Sequence, residues 1–451
     1  MVDKRLSKKF WSVLVIGGIS MFSADGTAIA HSDYLGPVDV VNTFDHKYLF
    51  IACLDGMEVV KFDLSSNAVV ERIQLSEKPT GLQLCPLNRN LFVTCGGPLG
   101  RVAVINTQTS EIITTIQVGH TPVCSVVSPD GKKLYVCNRF DNAISVINLE
   151  TLKCSKQIAV NREPIATDIT PDGKYLVVAN HLPAGPADKD FIAAEVSIVD
   201  TDQYQVHSIR LPNGATGLRD VFIAPDGTYA YVTLILARYQ LPTTQLERGW
   251  MNTNALAVID IRKREFLNTV LLDTITSGAA NPWAVSGTAD GRYLCVTHAG
   301  THEVSVIDQP GMLKKLYAAA KKGLDEHTDG GDGSIPERAF HYGNVPNDLR
   351  FLVGLRRRLK LAGNGPRSLT VVGTKVYAVE YFSDSLGVID IHPDKHARAR
   401  SIHLGGKKAL NEIRKGQMLF HDATLCFQQW QSCVSCHPDG RADTHRTAAR
   451  C

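Results

Sequence analysis

Short apolar runs separated by polar turns recur along most of this chain, and they recur in register. Overlaying the chain on itself places a run at 49–53, 91–95, 134–138, 176–180, 230–234, 294–298 and 376–380. A second run follows each, about ten residues on wherever no insertion intervenes, closing at Asp63, Asn106, Asn148, Asp200, Asp260, Asp308 and Asp390. The runs are rich in Val, Ile, Leu and Tyr and read as strands. Pro-Asp-Gly at Pro129, Pro171 and Pro225, with Ala-Asp-Gly at Ala289, supplies tight turns between them. A unit of about 42 residues built from such strands cannot bury both faces alone and must stack on its neighbours. Seven units in both columns therefore predict an all-β fold, a seven-bladed β-propeller over residues 31–404 with a short helical segment after it.

Three units are interrupted, at 182–194, 237–253 and 309–365. Insertions of this size in a regular array sit on one face and carry function or a contact, and all three are expected outside the blades. In the third, Met312 to Lys322 reads as a helix. Asn347 to Leu361 reads as a second, with Leu349, Leu352, Val353 and Leu359 inward and Arg350, Arg356, Arg357, Arg358 and Lys360 outward. The pair Leu134-Tyr135-Val136-Cys137-Asn138 and Ile144-Ser145-Val146-Ile147-Asn148 resembles the YVTN-type propeller repeat of exported bacterial and archaeal proteins, and the resemblance covers residues 36–404. It implies the fold. That family hosts enzymes, binding modules and surface proteins, so the activity must come from a site.

At the N-terminus, Lys4, Arg5, Lys8 and Lys9 precede an apolar run from Phe10 to Phe22 and then Ala28-Ile29-Ala30. That order is an export signal over 1–30, with the mature chain beginning at His31 in the periplasm or at the cell surface. The run is shorter than the roughly 18 residues of a membrane span, and no later stretch qualifies, so no transmembrane span is expected in the mature chain. A formal charge of +3, from 48 basic and 45 acidic residues, gives no reason to expect nucleic acid.

The chemistry concentrates in the tail. In Cys433-Val434-Ser435-Cys436-His437 the two thiols match the two vinyl groups of a haem and the next His is placed to bind its iron, which predicts one covalent haem c on Cys433, Cys436 and His437. A bare Cys-x-x-Cys also serves zinc sites and redox dithiols, but neither a second ligand pair nor a thioredoxin-like pattern accompanies this one. The segment from Lys407 to Phe420 reads as a helix. Arg414-Lys415-Gly416, Leu419-Phe420-His421 and Cys436-His437-Pro438-Asp439-Gly440-Arg441 resemble the haem region of bacterial dihaem cytochrome c peroxidases. The resemblance implies a redox role, with Cys433 and Cys436 as thioether positions and His437 as proximal ligand. That family continues into a full domain with a second haem motif, whereas residues 405–451 are expected to form a partial cytochrome c domain, as in a truncated or frame-shifted product of a longer gene. Met418, His421 and His445 are the candidates for a second axial ligand.

The repeat register sets Cys53, Cys95, Asn138, Asn180, Leu234, His298 and Glu380 at one level of the ring, with Arg139, His181 and Tyr381 one step beyond. Such a ring is expected to face the central channel, where a ligand or redox partner binds at the propeller face. His181, His298 and His302 are metal-ligand candidates if they converge, and Arg238, Arg248 and Trp250 are placed to cover the mouth. Asp325, Asp329 and Asp332, among Gly330, Gly331 and Gly333, resemble a calcium loop loosely and read better as an acidic loop. Two functions follow: an exported haem electron-transfer protein, allied to peroxidase-like systems, or a non-enzymatic surface-binding propeller with a vestigial haem tail.

Overall fold

The computed structural model describes residues 33–186, 188–238, 251–327, 345–394 and 398–441. The export signal over 1–30, Arg248, Trp250, His445, and Asp329 and Asp332 with their glycines lie outside the described residues, and Asp325 belongs to a helix.

Seven antiparallel sheets form from consecutive stretches of chain, at 37–74, 79–117, 122–159, 164–210, 215–271, 282–360 and 366–403. These are the blades of a seven-bladed β-propeller. Each of the seven recurring runs is the second strand of a blade, as in Tyr48–Cys53 and Lys133–Asn138, and each of the second runs is the third strand, as in Glu58–Asp63 and Ala143–Asn148. Second and third strands are buried on both faces because a neighbouring blade covers each, which is why they read as continuous apolar runs. The fourth strands of the first four blades face solvent, each keeping one inward Ile: Ile73, Ile116, Ile158 and Ile209.

The Asp or Asn that closes each third strand has a structural task. Asp63 Oδ1 accepts from Ser65 N and Ser66 N, Asn106 Oδ1 from Gln108 N, and Asn148 Oδ1 from Glu150 N and Thr151 N. The side chain thus folds the hairpin into the fourth strand, the ordinary use of Asx residues at turns. The Pro-Asp-Gly turns join first to second strands, with Gly131, Gly173 and Gly227 at positive φ.

Seven apolar clusters lie between the seven pairs of neighbouring blades. First and last blades exchange no strand. Their seam is closed by packing of Val40, Ile51 and Phe62 against Val379, Leu386 and Val388, and by Ser368 Oγ donating to Asp39 Oδ1 at 2.7 Å. Along the axis, carboxylates on the first strands clasp the next blade: Asp39 Oδ2 accepts from Leu82 N (2.7 Å), Asp168 Oδ2 from Ile223 N (2.8 Å) and Asp220 Oδ2 from Val285 N (2.9 Å).

Burial pushes the Asp168 carboxyl up to about 6 and that of Asp220 up to about 8. A carboxyl that keeps its proton in the fold but releases it near pH 4 when unfolded makes stability fall as pH rises, from about 4 to its folded value. Unfolding free energy is therefore expected to fall between about pH 6 and about pH 8, with a slope of up to about 1.4 kcal/mol per pH unit from Asp220. Denaturant melts across that range check it, and Asp220→Asn should flatten the slope. An unchanged slope in that variant would remove Asp220 from the account.

The insertions depart from expectation in two places: Ala237, Asn252 and Thr253 at the ends of the second belong to paired strands of the fifth blade, and the third supplies a whole strand. Helix α1, Gln309–His327, contains the expected helix and runs longer. The second expected helix is not one. After a short turn at Val345–Asn347, the segment Arg356–Lys360 forms the fourth strand of the sixth blade, paired Ile307↔Arg356 through Glu303↔Lys360. That part of the insertion belongs to a blade. Leu349, Leu352 and Leu359 fit a helical period, but Gly354 at φ 79° interrupts it, and the blade lacks its outer strand without this segment. A run of Arg suits an outer edge strand. The guanidinium of Arg358 binds Glu303, and those of Arg356 and Arg357 take the carbonyls of Leu272 and Ile391.

Candidate functional site

The expected ring of channel residues splits in two. Cys53, Cys95, Asn138, Asn180, His298 and Glu380 end second strands, Leu234 lies within one, and all seven are buried between blades. The channel itself is lined by first strands, one layer further in. Asn138 donates to Ser145 Oγ, Asn180 to Ser197 Oγ, and Glu380 accepts from Ser385, Ser401 and Gly363 N. One step beyond, however, Arg139 and Tyr381 do reach the channel, lining a cavity of about 440 Å³.

The three histidines do not converge. His181 Nδ1 meets Leu218 O at 2.7 Å, His298 Nε2 meets Ser305 Oγ at 2.7 Å, and His302 Nδ1 accepts from Gly365 N while its Nε2 lies 3.4 Å from Asp422. Burial holds all three neutral. Among the described residues no group of three or more His, Cys, Asp or Glu is arranged to hold a metal ion. Arg238 does not cover the mouth, because Thr253, Asn347 and Pro346 hold its guanidinium.

What covers the mouth is the tail. Helix α2, Glu412–His421, is started by Asn411, whose side chain accepts from Arg414 N. The one-turn helix α3, Cys433–Cys436, carries a capping box between Ser432 and Ser435. Propeller and tail form one compact unit. The tail is fastened to six of the seven blades or their loops. Arg414 donates to Asp55 Oδ2 (2.9 Å) and Tyr381 O (2.7 Å), and Gly300 O accepts from Ala423 N. Asn254 Nδ2 donates to Trp430 O, and Asn281 exchanges hydrogen bonds with Ser432 and Ser435. At Gly278 propeller and tail approach so closely that a Cβ would collide with Trp430 Cα and Gln429 O, which requires glycine there.

The turn after the Cys-x-x-Cys-His segment is the most heavily anchored. Asp439, at φ 55°, directs its carboxylate into the mouth, where Arg219 Nη2 (2.9 Å) and Arg139 Nη2 both donate to it and His181 Nε2 lies 3.6 Å away. Burial would raise this carboxyl, but the guanidiniums of Arg219 and Arg139 outweigh burial and hold it well below the usual carboxylate range. Arg441 Nη1 donates to Glu163 Oε1 at 2.8 Å.

These anchors set the posture of the Cys-x-x-Cys-His segment. Val434 and Ser435 are buried against the propeller, Cys433 and His437 are exposed, and Cys436 is half-buried with Asn252 Nδ2 3.0 Å from its sulfur. No two described cysteines are joined in a disulfide. His437 Nδ1 lies 3.1 Å from Arg441 O, so the ring donates through Nδ1 and keeps Nε2 for another partner. That is the arrangement in which metal-bound imidazoles are commonly held. The tail also turns apolar groups outward, with Ile413 75%, Leu425 69% and Phe427 69% exposed, and Leu419 beside Gly416 on the same side of α2. An apolar surface of this kind ordinarily lies under a bound group or further chain. The donor set, the imidazole's posture and the uncovered apolar face all fit a haem. Of the second-ligand candidates, Met418 Sδ is 3.7 Å from Asn364 Nδ2 and His421 lines the channel cavity, so both face the propeller.

Comparisons with known proteins bear on the propeller. The family described as "Cytochrome D1 heme domain" matches residues 87–190, which run from the second blade into the fourth. Hydrazine synthase subunit beta of Kuenenia stuttgartiensis is 27% identical over 200 residues, 44% of this chain and 47% of that protein. Antigen Lp49 of Leptospira interrogans is 30% identical over 116 residues, 23% of this chain and 25% of that protein. Each match spans less than half of the relative's own length. The solved structure of Kuenenia stuttgartiensis hydrazine synthase superposes with a TM-score of 0.68 at 26% identity, covering 81% of this chain and 98% of that one. Among the described residues no helix is long and apolar enough to cross a membrane.

Proposed function

We propose that this chain is an exported electron-transfer protein in which the propeller holds, across its mouth, a tail carrying one covalent haem c on Cys433 and Cys436, with His437 as axial ligand. The observation that carries the reading is the posture of the motif, with His437 Nδ1 on the Arg441 carbonyl and Cys433 and His437 facing outward. A haem held there supplies a one-electron redox centre. The chain's own residues fix its ligand: Glu163 holds Arg441, Arg441 holds the imidazole, and Arg139 and Arg219 hold Asp439 between them. The family name matched by the second to fourth blades, a haem domain, and the relationship to a hydrazine synthase subunit support a haem-related propeller working beside other subunits. The likeness of the tail to dihaem cytochrome c peroxidases supports a place in a peroxidase-like system. A second reading, a surface-binding propeller whose tail serves as a plug, is favoured by the cavity that the tail closes.

The test is expression of the chain with a cytochrome c maturation system, followed by a denaturing gel and haem stain. Covalent stain is expected in the wild type and none in the Cys433→Ala, Cys436→Ala double variant. Absence of stain in the wild type, or stain persisting in the double variant, refutes the haem reading and leaves the plug.

A further inference from the structure

The channel cavity beneath the tail holds a guanidinium, that of Arg367, which makes no ion pair with any described carboxylate. Arg367, on the first strand of the last blade, is 7% exposed and lines this cavity. Its guanidinium carbon lies over the Trp283 ring, 3.6 Å from the centroid, and 5.0 Å from that of Tyr381. It donates no hydrogen bond to any described residue, and its Nε is buried without a partner. Tyr381 and Asp439 ease the charge electrostatically, but neither accepts a hydrogen bond from it. Arg219 stacks on the same indole at 4.0 Å and is a second cation, whose hydrogen bond goes to Asp439. The carboxylates that share the cavity are turned away: Asp39 accepts from Val40 N, Leu82 N and Ser368 Oγ, and Asp220 from Val221 N and Val285 N. Burial beside Arg219 lowers the Arg367 guanidinium to about 10, which leaves it charged at neutral pH.

A buried guanidinium with unused donors is costly unless an anion joins it, and its planar fork suits a pair of carboxylate oxygens. Val38, Leu54, Val123, Ile165 and Phe382 form an apolar part of the cavity's wall, beside polar groups such as Thr80 and Ser368. Its volume of about 440 Å³ far exceeds an inorganic oxyanion and falls in the range of small-molecule sites. We infer that the channel is a binding site for a small organic carboxylate with an apolar body, its carboxylate on Arg367 and its body against Trp283 and Phe382. The tail is one wall of this site, through Gln417, His421 and Asp439.

The inference does not depend on the haem, so its test is separate from the stain. Isothermal titration of the full chain compares benzoate, the uncharged isostere benzyl alcohol, and inorganic phosphate. Saturable binding of benzoate is expected, with the other two at least about tenfold weaker, and Arg367→Gln should weaken benzoate by at least about tenfold, the value of one charge-assisted hydrogen bond. Arg367→Lys, which keeps the charge and loses the fork, should fall between. Should Arg367→Gln fail to fold, the three probes on the wild type decide alone. No benzoate binding, equal binding of benzyl alcohol, tighter binding of phosphate, or benzoate binding unchanged in a folded Arg367→Gln would each overturn the assignment.

Discussion

Asp439→Ala is expected to release the tail while leaving the propeller folded. Two guanidiniums converge on this carboxylate, and the Arg139 and Arg219 side chains are only 12% and 9% exposed, against 29% for Asp439. Truncating one partner of a buried pair typically costs about 3–5 kcal/mol. The partial exposure of Asp439 reduces that to about 2–4 kcal/mol, and the loss falls on docking because the tail contributes no strand to any blade. When opening and closing are fast relative to cleavage, proteolysis follows the open population. Trypsin should then cut within 407–441 at least about thirtyfold faster than in the wild type, with the thermal midpoint of the propeller nearly unchanged. Unaltered cleavage would mean that Trp430, buried in the cluster between the fourth and fifth blades, and the Asn281 contacts hold the tail without help from Asp439. Loss of the propeller transition in the same variant would mean that tail and ring fold as one.

Most of the ring was legible because a propeller repeats its physics. A strand buried on both faces reads as an unbroken apolar run, and the Asp or Asn that folds the next hairpin returns at the same offset in every blade, which is why Asp63 through Asp390 mark the third strands. Where a blade's strand carries a different burden, the period misleads. Arg356 to Lys360 is an edge strand whose charges meet carbonyls and Glu303, and a helical spacing of leucines before it reads the same whether those leucines pack on a helix or in a turn. The first strands were the least legible. Asp39 stands between two valines, but Asp168 follows Thr167 and Asp220 follows Arg219, so nothing regular in the sequence marks a carboxylate spent on backbone N–H groups of the next blade.

The candidate site was legible in its chemistry and hidden in its setting. Cys433, Cys436 and His437 are adjacent in the chain, and local geometry alone makes that spacing meaningful. Nothing local tells that Asp439 would sit between Arg139 and Arg219, residues 300 and 220 positions away, or that Arg367 would be left without a partner. The register did point to Arg139, His181 and Tyr381, since a residue one step past a buried strand end emerges at the mouth. It placed the preceding level one layer too far in, because the recurring run is the second strand and the channel belongs to the first.

Closure of the ring gives the largest effect on stability. Each blade is built from consecutive chain, so joining the first blade to the last is the one step that brings the two ends of the propeller together, and it has only side chains to do it with. The residue before each closing Asp or Asn is Phe62, Ile105, Ile147, Val199, Ile259, Ile307 and Ile389 in turn, and the single aromatic stands at the closing seam. Phe62 is fully buried there with Val60, Tyr377, Leu386 and Val388. Phe62→Ala is expected to cost about 3–5 kcal/mol, through lost transfer energy and the cavity left behind. Ile147→Ala, at an internal seam, is expected to cost about 2–5 kcal/mol, so equilibrium melts alone do not separate the two. Hydrogen exchange does, because local opening shows where cohesion was lost. In Phe62→Ala, amides of the strands within 48–63 and 375–390 should exchange faster than those of the third and fourth blades, whereas Ile147→Ala should accelerate 133–148 and spare the seam. If Phe62→Ala accelerates all seven blades equally, the ring opens globally, and the seam is no weaker than the interfaces between its internal blades.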